Sequence, residues 1–132
     1  MTSNNASTFG EAGTAKYVNL TTYRKNGAAV TSPLWAALDG DRLVMWTVAD
    51  SWKVKRLRRD PRVVVQACDV RGHKNFGAPV SGTAEVLDAA DSGRVKKAIA
   101  DKYGLLGKIT ILGSRLRRGA HGSVGIVITP AV

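Results

Sequence analysis

The sequence has very little cysteine. Cys68 is the only one in 132 residues, which excludes a disulfide framework and any four-thiolate metal site. A lone thiol fits a reducing cytoplasm. Acidic residues are also scarce: ten Asp+Glu face twenty Lys+Arg, a formal net charge of +10. An excess of that size points to an anionic partner, whether nucleic acid, membrane headgroups or a phosphorylated or polycarboxylate small molecule. Long apolar runs are missing too. No segment approaches the ~20 residues needed to span a bilayer, and Lys108 interrupts the one tempting stretch, Leu105 to Leu112. The first fifteen residues lack the basic start and apolar core of a secretion signal. His73 and His121 sit beside glycines without ligand spacing, so no metal site is expected.

What is present is an ordinary globular composition, 44% hydrophobic and 23% charged. The length suits one domain, residues 15–132, after a flexible or weakly helical arm over 1–14. A period of two dominates the domain, and alternation of that kind marks strands with one buried face. It predicts strands at Tyr17–Thr22, Val30–Leu38, Arg42–Val48, Val63–Val70, Val80–Leu87 and Ser123–Thr129. Asn26-Gly27 and Asp39-Gly40-Asp41 read as tight turns. The nearly continuous apolar run Val63–Val70 implies burial on both faces, and Gly77 to Pro79 reads as a loop. Ser51 to Arg59, stopped by Asp60-Pro61, predicts a short helix. Ser92 to Tyr103 predicts another, with Val95, Ile99 and Tyr103 on one stripe. Leu105 to Arg117 reads as a possible third. The sum is a mainly β protein: a six-stranded barrel with two to three peripheral helices.

Chemistry concentrates where the third strand runs into the first helix, from Trp46 through Val63. The opening amides of a helix have no intrahelical partner and lie at the positive end of its dipole, which suits phosphate. Ser51 adds a capping hydroxyl there, and Lys53 adds a cation in the first turn. A cation at that place opposes the dipole of an isolated helix. It is explained if an anion occupies the same place, and such local conflicts are expected at functional sites. Lys55, Arg56, Arg58 and Arg59 follow, and Arg115, Arg117 and Arg118 make a second basic cluster.

The order Trp46, Thr47, Ser51, Lys53, then Leu57-Arg58-Arg59-Asp60-Pro61-Arg62-Val63, resembles the pyridoxamine-phosphate-oxidase-like split β-barrel superfamily. Within it, the chain is most similar to the actinobacterial flavin/deazaflavin oxidoreductases that use coenzyme F420. Thr31-Ser32-Pro33-Leu34, Cys68-Asp69-Val70-Arg71-Gly72, Gly82-Thr83-Ala84-Glu85 and Lys102-Tyr103-Gly104-Leu105-Leu106-Gly107 add to the resemblance, which covers about Ala15 to Thr129. It implies a cytoplasmic homodimer with the cofactor between two subunits. It implies that Ser51, Trp52 and Lys53 hold the cofactor phosphate, with Lys55 beside them. Trp46 and Thr47 would line the cofactor, and Thr31, Ser32, Pro33 and Leu34 would run along its ring. A basic cluster would track the oligoglutamate tail of F420. The glutamine that reaches the cofactor in flavin-binding relatives is missing near Gly77, which weakens an FMN reading.

The reaction implied is hydride transfer between reduced F420 and a small organic acceptor. In such chemistry the protein supplies orientation and electrostatics. No catalytic base is named, although Tyr17, Tyr23 and Tyr103 are candidate proton donors. Three other readings remain: an FMN-binding oxidase or flavin reductase of the same fold, an F420 carrier without catalysis, and a nucleic-acid binder. The last is disfavoured because no groove-reading helix and no aromatic-lined stacking sheet are evident.

Overall fold

The computed structural model describes residues 9–88, 91–104 and 123–131. After a 3-10 turn at Gly10–Gly13 come β1 (Tyr17–Tyr23), β2 (Ala29–Leu34), β3 (Ala36–Asp39), β4 (Arg42–Val48), α1 (Trp52–Arg59), β5 (Arg62–Cys68) and β6 (Asn75–Val86). Helix α2 (93–104) and β7 (Ser123–Pro130) complete the described chain. All strand pairs are antiparallel, in the spatial order β2-β1-β5-β6-β7-β4-β3. The two edge strands, β2 and β3, are consecutive in the chain and separated only by Trp35. A sheet whose edges are joined by one residue has to curl until they meet. That requirement makes the barrel, and Trp35 marks its split.

Alternation sorts the side chains as a half-buried strand requires. Leu43 and Met45 of β4 point into the barrel with Val18, Leu20, Val65 and Ile128, each no more than 1% exposed. Val44 and Trp46 point outward and pack with Ala37 under Val95 and Ile99 of α2. Each fully buried aliphatic side chain contributes about 1.5–3 kcal/mol, so this double-sided use of β4 holds α2 to the barrel. Gly125 of β7 makes room for that contact: a Cβ there would lie 2.6 Å from Val95 Cγ2.

Several expectations are refined. The second strand is bent at Trp35 into β2 and β3, so seven strands replace six while the barrel stands. Gly77 to Pro79 is not a loop. It lies inside β6, where a bulge opposite Val65 and Ala67 absorbs the positive φ of Gly77 (68°). The fourth strand ends at Cys68, and only one of its faces is fully buried; Val64 and Gln66 on the other are half-buried. Phe9 and Ala12, from the arm over 1–14, belong to the barrel core. The third helix at 105–117 and residues 1–8 lie outside the described residues. No described helix is long and apolar enough to cross a membrane.

Candidate functional site

Strand β4 delivers the chain to α1, and Ser51 caps that helix with an extended backbone. Its Oγ accepts a long hydrogen bond from Val54 N (3.4 Å). The amides of Trp52 and Lys53 have no intrahelical partner by helix geometry. Nothing acidic stands in the first turn of α1. Lys53 is half-buried and forms no ion pair among the described residues. Burial, and then the nearby Arg56 guanidinium, lower its pKa. The site is thus a desolvated cation, a hydroxyl and two unbonded amides at one helix end. It lacks a compensating anion from its own described chain.

The other face of α1 is also positive. Trp52 is 72% exposed, with Lys55 Nζ 4.5 Å from its ring centroid, a cation–π contact. Arg56 Nε donates to Thr22 Oγ1 (2.7 Å), and Arg59 donates to Tyr23 O. Together with Arg24 and Lys25 of the β1–β2 turn, they line a groove of about 400 Å³. Arg56 has its pKa lowered by burial and then by Arg24 and Arg59, so these guanidinium groups repel one another. Arg24 and Lys25 read in the sequence as part of the turn Arg24-Lys25-Asn26-Gly27; only the packing of that turn against α1 brings them into the groove.

At the other end of the predicted site, Pro33, Leu34 and Trp46 share a cavity of about 230 Å³ with Tyr17, Trp35, Val70 and Ile99. No charged side chain lines it. Trp46 Nε1 is buried and finds no acceptor among the described residues. A buried N–H without a partner costs about 1–3 kcal/mol, a cost that a ligand acceptor would remove. Trp46 and Ser51 are five residues apart, at most ~18 Å of chain. These residues fit a ligand with a phosphate at one end and a flat apolar ring with a polar edge at the other.

The other sequence candidates separate. Thr47 is buried (7% exposed), and alternation turns its side chain to the face opposite Trp46, so it lines the cavity with neither ring nor hydroxyl. Thr31 is exposed, and its Oγ1 lies 2.7 Å from Thr21 Oγ1; Ser32 is half-buried. Tyr103 is not poised to deliver a proton. Its hydroxyl donates to Lys16 O (2.6 Å) and accepts from Ala36 N (3.1 Å), and burial raises its pKa. Asp69 accepts from the amides of His73 and Lys74 and shapes the turn before β6. Among the described residues no cluster of metal-ligating side chains occurs.

The seven antiparallel strands, curled until β2 and β3 meet at Trp35, form a split barrel. The chain matches the pyridoxamine 5'-phosphate oxidase family over residues 11–131 and belongs to it. No curated protein matches the chain. Among solved structures, an F420 reductase is 19% identical, with a TM-score of 0.66 over 100% of this chain and 97% of that one. A conserved hypothetical protein from Mycobacterium tuberculosis is 21% identical, with a TM-score of 0.71 over 100% and 82%. The heme storage protein HutZ from Vibrio cholerae is 15% identical, with a TM-score of 0.67 over 89% and 82%. At these identities the likeness is one of fold.

Proposed function

We propose that this protein binds the deazaflavin F420 and uses it to reduce a small uncharged organic acceptor. The observation that carries the reading is Lys53: a half-buried cation with no ion-pair partner among the described residues, in a first helical turn without acidic residues, capped by Ser51. The F420 phosphate supplies the missing charge. Charge-assisted hydrogen bonds from Lys53, the Ser51 hydroxyl and the amides of Trp52 and Lys53 hold it.

The remaining residues orient and shelter. Thr31, Ser32, Pro33 and Leu34 run along the ring; Trp46 offers its unpartnered N–H to a polar edge, and Thr47 contributes backbone. When bound, the reduced cofactor supplies a hydride. The apolar cavity beside Pro33, Leu34 and Trp46 excludes water and receives the acceptor. Lys55 and the Arg24–Arg59 groove suit the oligoglutamate tail, which FMN lacks. In this reading the protein is a cytoplasmic homodimer, and a second subunit covers the groove.

Titration with F420 and with FMN, followed by intrinsic tryptophan fluorescence, tests the proposal. F420 should bind more tightly. Lys53→Ala should weaken it by about tenfold or more, the worth of one charge-assisted contact. Tighter FMN binding would transfer the site to a flavin. Indifference of both ligands to Lys53→Ala would refute the phosphate assignment.

A further inference from the structure

The last turn of α2 reaches back to the split of the barrel and holds it. Tyr103 stacks on Trp35 with ring centroids 4.2 Å apart and an interplanar angle of 8°. Its hydroxyl accepts from Ala36 N (3.1 Å), donates to Lys16 O (2.6 Å) and lies 3.0 Å from Ala36 O. Lys102 Nζ donates to Ala15 O and to Ala36 O, both at 2.6 Å. Ala36 is the first residue of the edge strand β3, so its N–H and C=O are groups a sheet edge would leave unpaired. Trp35 sits between β2 and β3, where no strand partner fixes its direction. Yet Trp35 is a wall of the 230 Å³ apolar cavity.

We infer that Tyr103 is a positioning residue that determines specificity: its ring stack and its grip on Ala36 set the Trp35 wall, and thereby the width of acceptor the cavity admits. The acceptor class is flat, apolar and uncharged, because no lining side chain carries a charge. The inference rests on the proposed function for the identity of the reaction, but the cavity can be probed without F420.

Menadione, a flat uncharged quinone, is the probe. Quenching of tryptophan fluorescence reads its binding to the protein alone; turnover with reduced F420 reads KM and kcat. Tyr103→Phe keeps the stack and removes the hydroxyl; Tyr103→Leu removes both. Loss of the hydroxyl contacts should raise the menadione Kd and KM about threefold to fivefold, and loss of the stack as well should raise them about tenfold or more. In Tyr103→Phe kcat should stay within about twofold while KM rises, a split that a general loss of packing would not give. Should Tyr103→Leu fail to fold, Tyr103→Phe and Trp35→Phe carry the test.

Two results would overturn the inference: no menadione quenching in the wild type, or an unchanged menadione Kd in folded Tyr103→Phe and Trp35→Phe. If the wild type binds menadione in a Tyr103-dependent way but ignores F420, the positioning role stands and the proposed function fails.

Discussion

The surroundings of the two helices solve opposite electrostatic problems. Around α2, polar groups other than the Trp46 N–H are answered from within: Lys102 by two carbonyls, the Tyr103 hydroxyl by Lys16 and Ala36, and the Ser92 hydroxyl by Asp88 O and Gly125 N. Even the exposed charges beside it are paired, Arg94 with Asp39 and Lys97 with Asp101, along the rim of a 770 Å³ cleft. At the first turn of α1 and along its groove, cations gather: Lys53 has no ion-pair partner among the described residues, and Arg24, Arg56 and Arg59 repel one another. Satisfied polar groups stabilise a structure, whereas unsatisfied like charges raise its energy until a ligand arrives. The larger cleft is therefore the less informative one. The proposed function rests on Lys53 at the start of α1, with the smaller cavity and the basic groove beside it.

The largest effect should come from breaking the satisfied end. Gly125→Ala would place a Cβ 2.6 Å from Val95 Cγ2 and push α2 off the sheet. Overpacking of this kind costs about 1–3 kcal/mol, and the lifted helix would also strain the bond from Gly125 N to Ser92 Oγ. Thermal unfolding should show a drop of several degrees, and an unchanged Tm would mean that α2 is not held by that contact.

The converse substitution belongs to α1. Lys53→Ala should leave Tm unchanged or slightly raised, because a desolvated cation beside Arg56 is removed, while F420 affinity falls as stated above. A loss of stability together with affinity would place Lys53 among structural residues. Ser51→Ala removes the cap and should cost about 1 kcal/mol in denaturant unfolding. Ser51→Gly should restore most of that stability without restoring the ligand hydroxyl.

The smallest effects are in pH. Burial lowers the Lys102 pKa from 10.5 to about 8. A base with a lowered folded pKa releases its proton on folding, so this group destabilises the fold below about pH 8 and the penalty is relieved as pH rises towards 10.5. Lys102→Met should flatten that rise in a plot of stability against pH. Asp60 behaves in the opposite sense. Its hydrogen bonds from the Arg62 side chain and amide hold its carboxyl down to about 2. The stability it adds is present above pH 3.8 and lost as pH falls towards 2. Asp60→Asn should remove that acid limb, and the change should be slight because the pair is exposed.

Local chemistry was legible wherever the cause was local. Alternation gave the strands, Asn26-Gly27 gave a turn whose Gly27 has φ 88°, and Ser51 and Asp60-Pro61 bounded α1. The helix stripe placed Val95 and Ile99 against the sheet. The capped start of α1 with its first-turn lysine could be read because Ser51, Trp52 and Lys53 are consecutive. The bend at Trp35 could not, since periodicity continues across it and only barrel closure makes the chain change edges. The bulge that keeps Gly77 to Pro79 in β6 was hidden for the same reason. Glycine and proline signal a loop locally, while the neighbouring β5 supplies the pairing that overrides them.

By itself, then, the sequence determined the class of fold, the excess of positive charge, and the helix α1 along which basic residues gather. These follow from neighbours a few residues apart. Tertiary structure alone decided that Trp46 faces the cavity while Thr47 turns inward, that Arg24 and Lys25 join Arg56 and Arg59, and that Tyr103 reaches Trp35. Each of those facts depends on groups far apart in the chain, brought together only when the sheet curls and its two edges meet.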